Sequence, residues 1–196
     1  MNKKTALFFG SFNPIHNGHL ILANYFTEYT DINELWFVLS PQNPFKKKQK
    51  LLDFTHRLQM LKKAIDGYNK FNICTIEKDL PKPSYTINTL NHLKKKYPKK
   101  NFVILMGADN ILNITQWKDY QTIIENYQIY VYPRKGFNPK LQHKSIKYIN
   151  APLVEISSTF IRKSIENGKN VRFFLPYGIF DIIKDNGFYQ RSDNNF

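Results

Sequence analysis

Two histidines, His16 and His19, stand three residues apart in a segment whose residue types suit phosphate binding. The segment spans residues 10–19 and reads Gly-Ser-Phe-Asn-Pro-Ile-His-Asn-Gly-His. A short apolar run precedes it and an amphipathic stretch follows, so the pattern predicts a strand, a turn and a helix start. A helix start presents free backbone N–H groups and the positive end of the helix dipole to an anion. Imidazoles there can donate hydrogen bonds to phosphate oxygens as charge develops in a transition state.

The two glycines of this segment, Gly10 and Gly18, have no side chain to keep a neighbouring group away. We expect Gly10 to allow a close approach to the backbone, and Gly18 to leave room where a ligand presses on the helix.

A second cluster of polar residues, Ser157-Ser158-Thr159 followed by Arg162, lies near the other end of the chain. Ser and Thr are common N-cap residues, so this segment predicts a helix start. Three hydroxyls and a guanidinium at such a place also suit phosphate oxygens, because Arg supplies charge and a planar fork of donors.

The rest of the chain alternates between strand-like and helix-like patterns. The predicted strands span residues 6–10, 35–40, 71–76, 102–107, 127–132 and 153–156. The predicted helices span residues 18–28, 53–66, 86–97, 108–114, 120–126, 159–166 and 176–184. We interpret residues 135–150 as a surface connection and residues 191–196 as a frayed tail.

This alternation predicts a Rossmann-like, doubly wound α/β fold with a mainly parallel sheet and helices on both faces. We expect a single domain over residues 1–196. Ligands of such sheets bind beyond the carboxyl ends of the strands. Two further segments fall there, residues 41–51 and Gly107-Ala108-Asp109-Asn110.

Composition narrows the class of protein. The chain carries 29 Lys and Arg against 15 Asp and Glu, a net charge of +14, which favours anionic partners. No apolar run approaches the roughly 20 residues of a membrane helix, and the N-terminal apolar run is too short for a signal peptide, so we expect a cytoplasmic protein without a membrane partner. The single cysteine, Cys74, has no Cys partner for a metal site, and we expect none.

The two clusters together resemble the nucleotidyltransferase superfamily that carries a His-x-Gly-His signature, here His16-Asn17-Gly18-His19. The C-terminal Ser-Ser-Thr-x-x-Arg signature of that superfamily matches residues 157–162. Within it, the chain looks most like the bacterial nicotinate-nucleotide adenylyltransferases over residues 5–189. Three segments carry that closer resemblance: Pro83-Ser84-Tyr85-Thr86, Gly107-Ala108-Asp109-Asn110 and Thr115-Gln116-Trp117.

The resemblance implies a reaction in NAD biosynthesis, in which ATP and nicotinate mononucleotide give nicotinate adenine dinucleotide and pyrophosphate. It implies Mg²⁺ carried by ATP as the only cofactor. The implied catalytic residues are His16, His19 and Arg162. The implied ATP-binding residues are Gly10, Ser11, Phe12, His16, His19, Gly107, Asp109, Ser157, Ser158, Thr159 and Arg162. The implied mononucleotide-binding residues are Lys46, Thr86, Ile87, Trp117, Lys118 and Arg134.

The chain departs from the family pattern in the loop after the second predicted strand. Many members carry Pro-His-Lys or Pro-His-Arg where this chain reads Pro44-Phe45-Lys46. The histidine is absent, and Lys46 keeps a cation at the matching position. Arg134 likewise matches a family Arg-Pro-Gly segment without its proline.

Three other functions stay open at the level of sequence. The acceptor of the adenylyl group could be nicotinamide mononucleotide or phosphopantetheine rather than nicotinate mononucleotide. A protein of another class, a basic nucleic-acid-binding module, would use the net charge, but no RNA-recognition aromatic motif stands out, so we expect no nucleic-acid partner. The oligomeric state has no signal in the sequence.

Overall fold

The computed structural model describes residues 3–42 and 51–191. Its strands are β1 (Lys4–Gly10), β2 (Ile32–Leu39), β3 (Phe71–Cys74), β4 (Asn101–Gly107), β5 (Gln128–Tyr132) and β6 (Ile146–Tyr148). They form one sheet in the order β3-β2-β1-β4-β5-β6, with every pairing parallel. The chain reverses its direction of travel across the sheet between β1 and β4, which is where ligands of doubly wound sheets bind. The predicted Rossmann-like fold is confirmed.

The helices cover both faces of this sheet. They are α1 (Asn17–Tyr29), α2 (Phe54–Ile65), α3 (Thr86–Lys96), α4 (Ala108–Ile111), α5 (Tyr120–Asn126), α6 (Ser158–Glu166) and α7 (Ile179–Asp185). Successive residues of a strand point to opposite faces, so Leu7 and Phe8 of β1 belong to two separate buried clusters. Both clusters are apolar, and the central strand β4 is accordingly buried along all but its first residue.

Local signals explain where these helices begin and end. The carboxylate of Asp53 accepts a hydrogen bond from the backbone N–H of Thr55 at 2.8 Å, which caps α2 as predicted. Gly168 and Gly187 follow α6 and α7 with φ of 68° and 63°, the left-handed conformation that ends a helix. The seven helices and the first five strands begin and end within three residues of the predicted positions.

The sixth strand is the exception. The prediction over residues 153–156 is wrong, and β6 lies instead inside residues 135–150, which we interpreted as a surface connection. This edge strand pairs Ile146 with Ile129 of β5, and its three residues are too few to show a periodic pattern. The apolar residues Val154 and Ile156 pack against the core without joining the sheet.

One further property of the described helices concerns membranes. None of them is both long enough and apolar enough to cross a bilayer.

Candidate active site

A cavity of about 300 Å³ opens at the carboxyl ends of β1 and β4. Its wall contains most of the residues that the sequence singled out: Gly10, Ser11, Phe12, His16, His19, Thr86, Asp109, Trp117, Lys118, Arg134, Ser157, Ser158, Thr159 and Arg162. Gly107 and Ile87 are not in that wall, and the side chain of Ile87 is buried in the core beneath α3. Lys46 and Phe45 lie outside the described residues.

The two histidines stack at the start of α1, with ring centroids 3.7 Å apart. The carbonyl of His16 accepts from the backbone N–H of His19 at 2.9 Å, and Nδ1 of His19 accepts from the backbone N–H of His16 at 3.3 Å. Because Nδ1 is an acceptor, a neutral His19 carries its proton on Nε2. The local fold thereby sets the tautomer that makes Nε2 a donor.

His16 is the more deeply buried of the pair, with 4% of its surface exposed. Burial, together with the positive charge of Arg134, lowers the pKa of His16 to about 3. This imidazole is therefore neutral at pH 7 and has one N–H to donate.

The room left by the two glycines is filled by the protein itself. A Cβ on Gly18 would lie 3.0 Å from Nδ1 of His16 and 3.0 Å from Cγ1 of Val154, so the space expected for a ligand holds these side chains instead. A Cβ on Gly10 would lie 2.8 Å from the ring of Phe12. Both glycines are needed for the packing of the turn.

The two signature segments, far apart in sequence, touch directly. The Ser158 hydroxyl donates to the carbonyl of Pro14 at 2.9 Å, and Nη1 of Arg162 donates to the carbonyl of Asn13 at 2.8 Å. The Ser157 hydroxyl accepts from the N–H of Phe160 at 3.1 Å, so the predicted helix cap is confirmed. The histidines and the hydroxyl cluster therefore share one cavity and one hydrogen-bonded framework.

The turn after β4 supplies a charged pair. Oδ1 of Asp109 lies 3.7 Å from Nε of Arg134, whose guanidinium lies over the ring of Tyr132. Burial raises the pKa of Tyr132 to about 12, so its hydroxyl stays protonated. A Cβ on Gly107 would lie 2.3 Å from Oδ1 of Asp109, and any side chain at that position would displace the carboxylate.

A second part of the cavity wall, called here the α3 end, is built from the start of α3 and the short helix Ile114–Gln116. Trp117 is half-buried there, and the Lys118 ammonium lies 5.2 Å from the centre of the Tyr85 ring. Below them, Oε1 of the buried Glu77 accepts from the hydroxyl of Thr89 at 2.8 Å. Burial raises the pKa of the Glu77 carboxyl.

Buried polar atoms without a hydrogen-bond partner concentrate in this cavity. Within residues 3–42 and 51–191 these atoms are Ser11 Oγ, Asn13 Nδ2, His16 Nδ1, Glu77 Oε2, Ser84 Oγ, Asp109 Oδ1 and Arg134 Nε. Each belongs to a residue of the cavity wall. Buried polar groups are nearly always hydrogen-bonded, so their grouping here indicates a polar ligand that supplies the partners.

Comparisons with known proteins agree with this geometry. The cytidylyltransferase-like family model matches residues 7–164. A probable nicotinate-nucleotide adenylyltransferase of Christiangramia forsetii is 48% identical over 194 residues, which cover 97% of this chain and 100% of that protein. The chain belongs to this adenylyltransferase family. A second relative with the same name, from Flavobacterium johnsoniae, is 48% identical over 192 residues, 96% of this chain and 100% of that protein.

Solved structures show the same fold for this adenylyltransferase. The nicotinic acid mononucleotide adenylyltransferase of Plasmodium falciparum, complexed with NaAD, superposes with a TM-score of 0.79 at 20% identity. The match covers 95% of this chain and 97% of that one. The same Plasmodium enzyme complexed with APC superposes with a TM-score of 0.78.

Sequence reasoning gave no role to several residues of the adenylyltransferase cavity. Asn13 and Ser84 lie inside motifs that were noted, but nothing in their spacing distinguishes them from turn residues. Glu77 follows the carboxyl end of β3, so the rule that ligands bind beyond strand ends was the signal that could have found it. Among the described residues no cluster of three His, Cys, Asp or Glu side chains is placed to hold a metal ion.

Proposed function

We propose that the chain joins ATP and nicotinate mononucleotide to give nicotinate adenine dinucleotide and pyrophosphate. The observation that carries this proposal is the direct contact between the two signatures, Ser158 on Pro14 and Arg162 on Asn13, around one cavity. The name and near-complete coverage of the relatives support the same activity. A cytoplasmic location stays a prediction.

The reaction itself needs little proton chemistry. A 5′-phosphate oxygen of the mononucleotide attacks the α-phosphorus of ATP in line, and the bond from that phosphorus to the bridging oxygen breaks, so pyrophosphate leaves with the electron pair. A phosphate monoester has a second pKa of about 6, so the nucleophile is already anionic near neutral pH. The protein has to align the two anions and neutralise their charge.

We assign the triphosphate to the end of the cavity formed by the signatures. Nε2–H of His19 donates to an oxygen of the α-phosphate as the displacement proceeds, and neutral His16 contacts the same chain of phosphates. The outgoing phosphates are held by Ser157, Ser158, Thr159 and Arg162. The backbone of Gly10, Ser11 and Phe12 lines the nucleotide, while Gly107 and Asp109 hold the adenosine part.

We assign the mononucleotide to the α3 end. The first N–H groups of α3, those of Thr86 and Ile87, have no acceptor within the helix and suit the ring carboxylate. The half-buried Trp117 offers an aromatic face to the ring, and Lys118 adds a positive charge. This assignment uses only the backbone of Ile87, in agreement with its buried side chain.

The remaining proposed contacts are with phosphate and metal. We propose Arg134 as a phosphate ligand, and the same role for Lys46 rests on the sequence alone. Mg²⁺ enters with ATP in this proposal and is held mainly by phosphate oxygens and water, as is usual for this ion. When bound, it would neutralise part of the triphosphate charge.

Pyrophosphate release measured with ATP and each of three acceptors tests this function. We expect turnover with nicotinate mononucleotide and at least tenfold lower kcat/KM with nicotinamide mononucleotide or phosphopantetheine. A higher kcat/KM with either of the other two would reassign the acceptor. Salt-sensitive RNA binding without any turnover would replace the enzyme by a nucleic-acid-binding module.

Thermal unfolding gives a second readout of the acceptor. A ligand that binds the native state raises its apparent stability, so nicotinate mononucleotide should raise the Tm more than nicotinamide mononucleotide at equal concentration. Equal shifts would mean that the ring carboxylate is not recognised.

A further inference from the structure

Arg57 of α2 is a fully buried cation, with 1% of its surface exposed. Within residues 3–42 and 51–191, every hydrogen bond of its guanidinium goes to a backbone carbonyl. Nη1 reaches the carbonyls of Ser11 at 2.7 Å and Ser40 at 2.9 Å, Nε reaches that of Leu52 at 2.8 Å, and Nη2 approaches that of Pro41 at 3.4 Å. Four carbonyls from three segments of the chain therefore meet on one side chain.

No carboxylate forms an ion pair with this guanidinium in the part of the chain that the structure describes. Burying this charge has a cost, which its hydrogen bonds to the carbonyls offset, and an apolar side chain at this position would leave those buried carbonyls without a donor. Burial lowers the pKa of Arg57, yet a guanidinium stays charged at neutral pH. Arg57 therefore stabilises the fold by holding these carbonyls together, and the segments it joins are those that line the cavity.

Arg57 binds the turn after β1 directly and is connected to the start of α3 through residues 40–42. Ser11 lies in the turn after β1, next to Phe12, which adopts a left-handed φ of 44°. Ser40 follows β2, and the carbonyl of Gln42 two residues later accepts from the N–H of Ser84 at 3.3 Å. Ser84 in turn lies two residues before Thr86, where α3 begins.

We propose that Arg57 is a positioning residue that fixes the ATP-binding turn at Ser11 relative to the mononucleotide-binding wall at Ser84. It touches neither substrate and acts through the backbone of residues 11 and 40–42. This proposal rests on the proposed function of the cavity. The backbone N–H of Ser40 already donates to the carbonyl of Gly10 at 2.9 Å, and the planar fork adds a second tie between residue 11 and residues 40–41, which helps to fix the attacking oxygen relative to the α-phosphorus.

Arg57→Lys is the decisive variant, because it keeps the charge and removes the fork. A misplacement of about 1 Å between reactants can cost about 100-fold in rate, so we expect kcat to fall about 10- to 100-fold while both KM values change less than about threefold. Arg57→Met also removes the charge and should lower kcat at least as much. If Arg57→Met fails to fold, Arg57→Lys carries the test.

Leu61→Ala is the matched control, since Leu61 is fully buried on the same helix and lines no part of the cavity. The variants are compared at a temperature where calorimetry shows both to be folded. A kcat loss in Arg57→Lys no larger than that in Leu61→Ala would overturn the proposal. So would a loss that falls wholly on the KM of one substrate.

Backbone amide exchange separates this proposal from the proposed function. In ligand-free protein, Arg57→Lys should speed exchange at Phe12 and at Ser84 together, by tenfold or more relative to Leu61→Ala. Faster exchange at one of these sites alone would show that Arg57 does not link them. This measurement can be made even if the wild type releases no pyrophosphate. That outcome would contradict the proposed function and would leave the link made by Arg57 still testable.

Discussion

The two ends of the cavity are built in different ways. At the signature end, side chains far apart in sequence brace the turn after β1: Ser158 binds Pro14, Arg162 binds Asn13 and Arg57 binds Ser11. At the α3 end, the polar residues stand at the start of a helix and on a short 3₁₀ segment, and Lys118 is exposed. The signature residues therefore brace the turn and are also proposed ligands, so the proposed triphosphate site is preorganised.

The largest expected effect comes from the signature end, which is called the braced end below because the three contacts just described hold its turn. His19→Ala should lower kcat about 10²- to 10³-fold, the usual cost of losing one donor to a transition state, while the KM for ATP changes little. Steady-state pyrophosphate release measures it, with His92→Ala on the exposed face of α3 as the control for losing a histidine. Turnover near the wild-type rate would show that His19 does not contact the transition state and that the braced end only binds substrate.

The burial of His16 predicts a pH dependence of stability. The folded-state pKa is about 3 and the unfolded value 6.5, so between these pH values only the unfolded chain binds the proton. The free energy of unfolding should therefore fall as pH decreases through that window, by up to about 1.4 kcal/mol per pH unit from this group. Urea unfolding from pH 4 to 7 measures the slope.

His16→Asn removes this titration, and its stability should fall less steeply over the same range. His92→Asn is the control for the loss of one histidine far from the cavity. Parallel curves for the wild type and His16→Asn would mean that the braced turn opens to solvent and lets His16 take up a proton.

A smaller effect is expected from the ring site. Trp117→Ala should raise the KM for nicotinate mononucleotide about fivefold, since stacking on an aromatic ring contributes about 1 kcal/mol. The KM for ATP should stay the same, because Trp117 lies at the other end of the cavity. Trp36→Phe, which alters the other tryptophan outside the cavity wall, controls for lost packing. An equal rise in both KM values would show that Trp117 does not act on the mononucleotide alone, and the two ends would then form one site.

The smallest effect concerns Lys118. Its ammonium is exposed, so Lys118→Gln should raise the KM for the mononucleotide only about two- to threefold, and less at high salt. Lys163→Gln on α6, outside the cavity wall, is the matched control for net charge. A rise of this KM above tenfold would show that the α3 end is as tightly organised as the braced end.

The sequence predicted the braced end better than the other one. Residues 10–19 and 157–162 combine glycine, histidine and hydroxyl types whose spacing is informative, and both lie in the cavity wall. The parallel pairing of the strands follows from the alternation of elements, whereas their order in the sheet comes from the structure alone. The contacts proposed for the ring use backbone N–H groups, which any residue type can supply. The α3 end was therefore predicted from the family resemblance alone.

The roles of other residues were not predicted because their partners are distant in the sequence or carry no pattern. Arg57 reads as an ordinary polar position of an amphipathic helix, and only the fold shows that it reaches Ser11, 46 residues away. Glu77 lies in a short segment between elements, with its partner Thr89 on the next helix. The strand β6 was missed since three residues with a central lysine carry no period.

The contact between Asn13 and Arg162 has a consequence for synthesis on the ribosome. The first five strands are synthesised before residue 133, and the hydroxyl cluster that contacts the turn after β1 is synthesised after the whole sheet. Tyr189, whose hydroxyl also donates to Oδ1 of Asn13 at 2.8 Å, follows later still. A nascent chain that stops short of α6 contains the sheet and lacks these contacts. The part of the cavity wall proposed to hold the outgoing phosphates is therefore complete only after α6 has been synthesised.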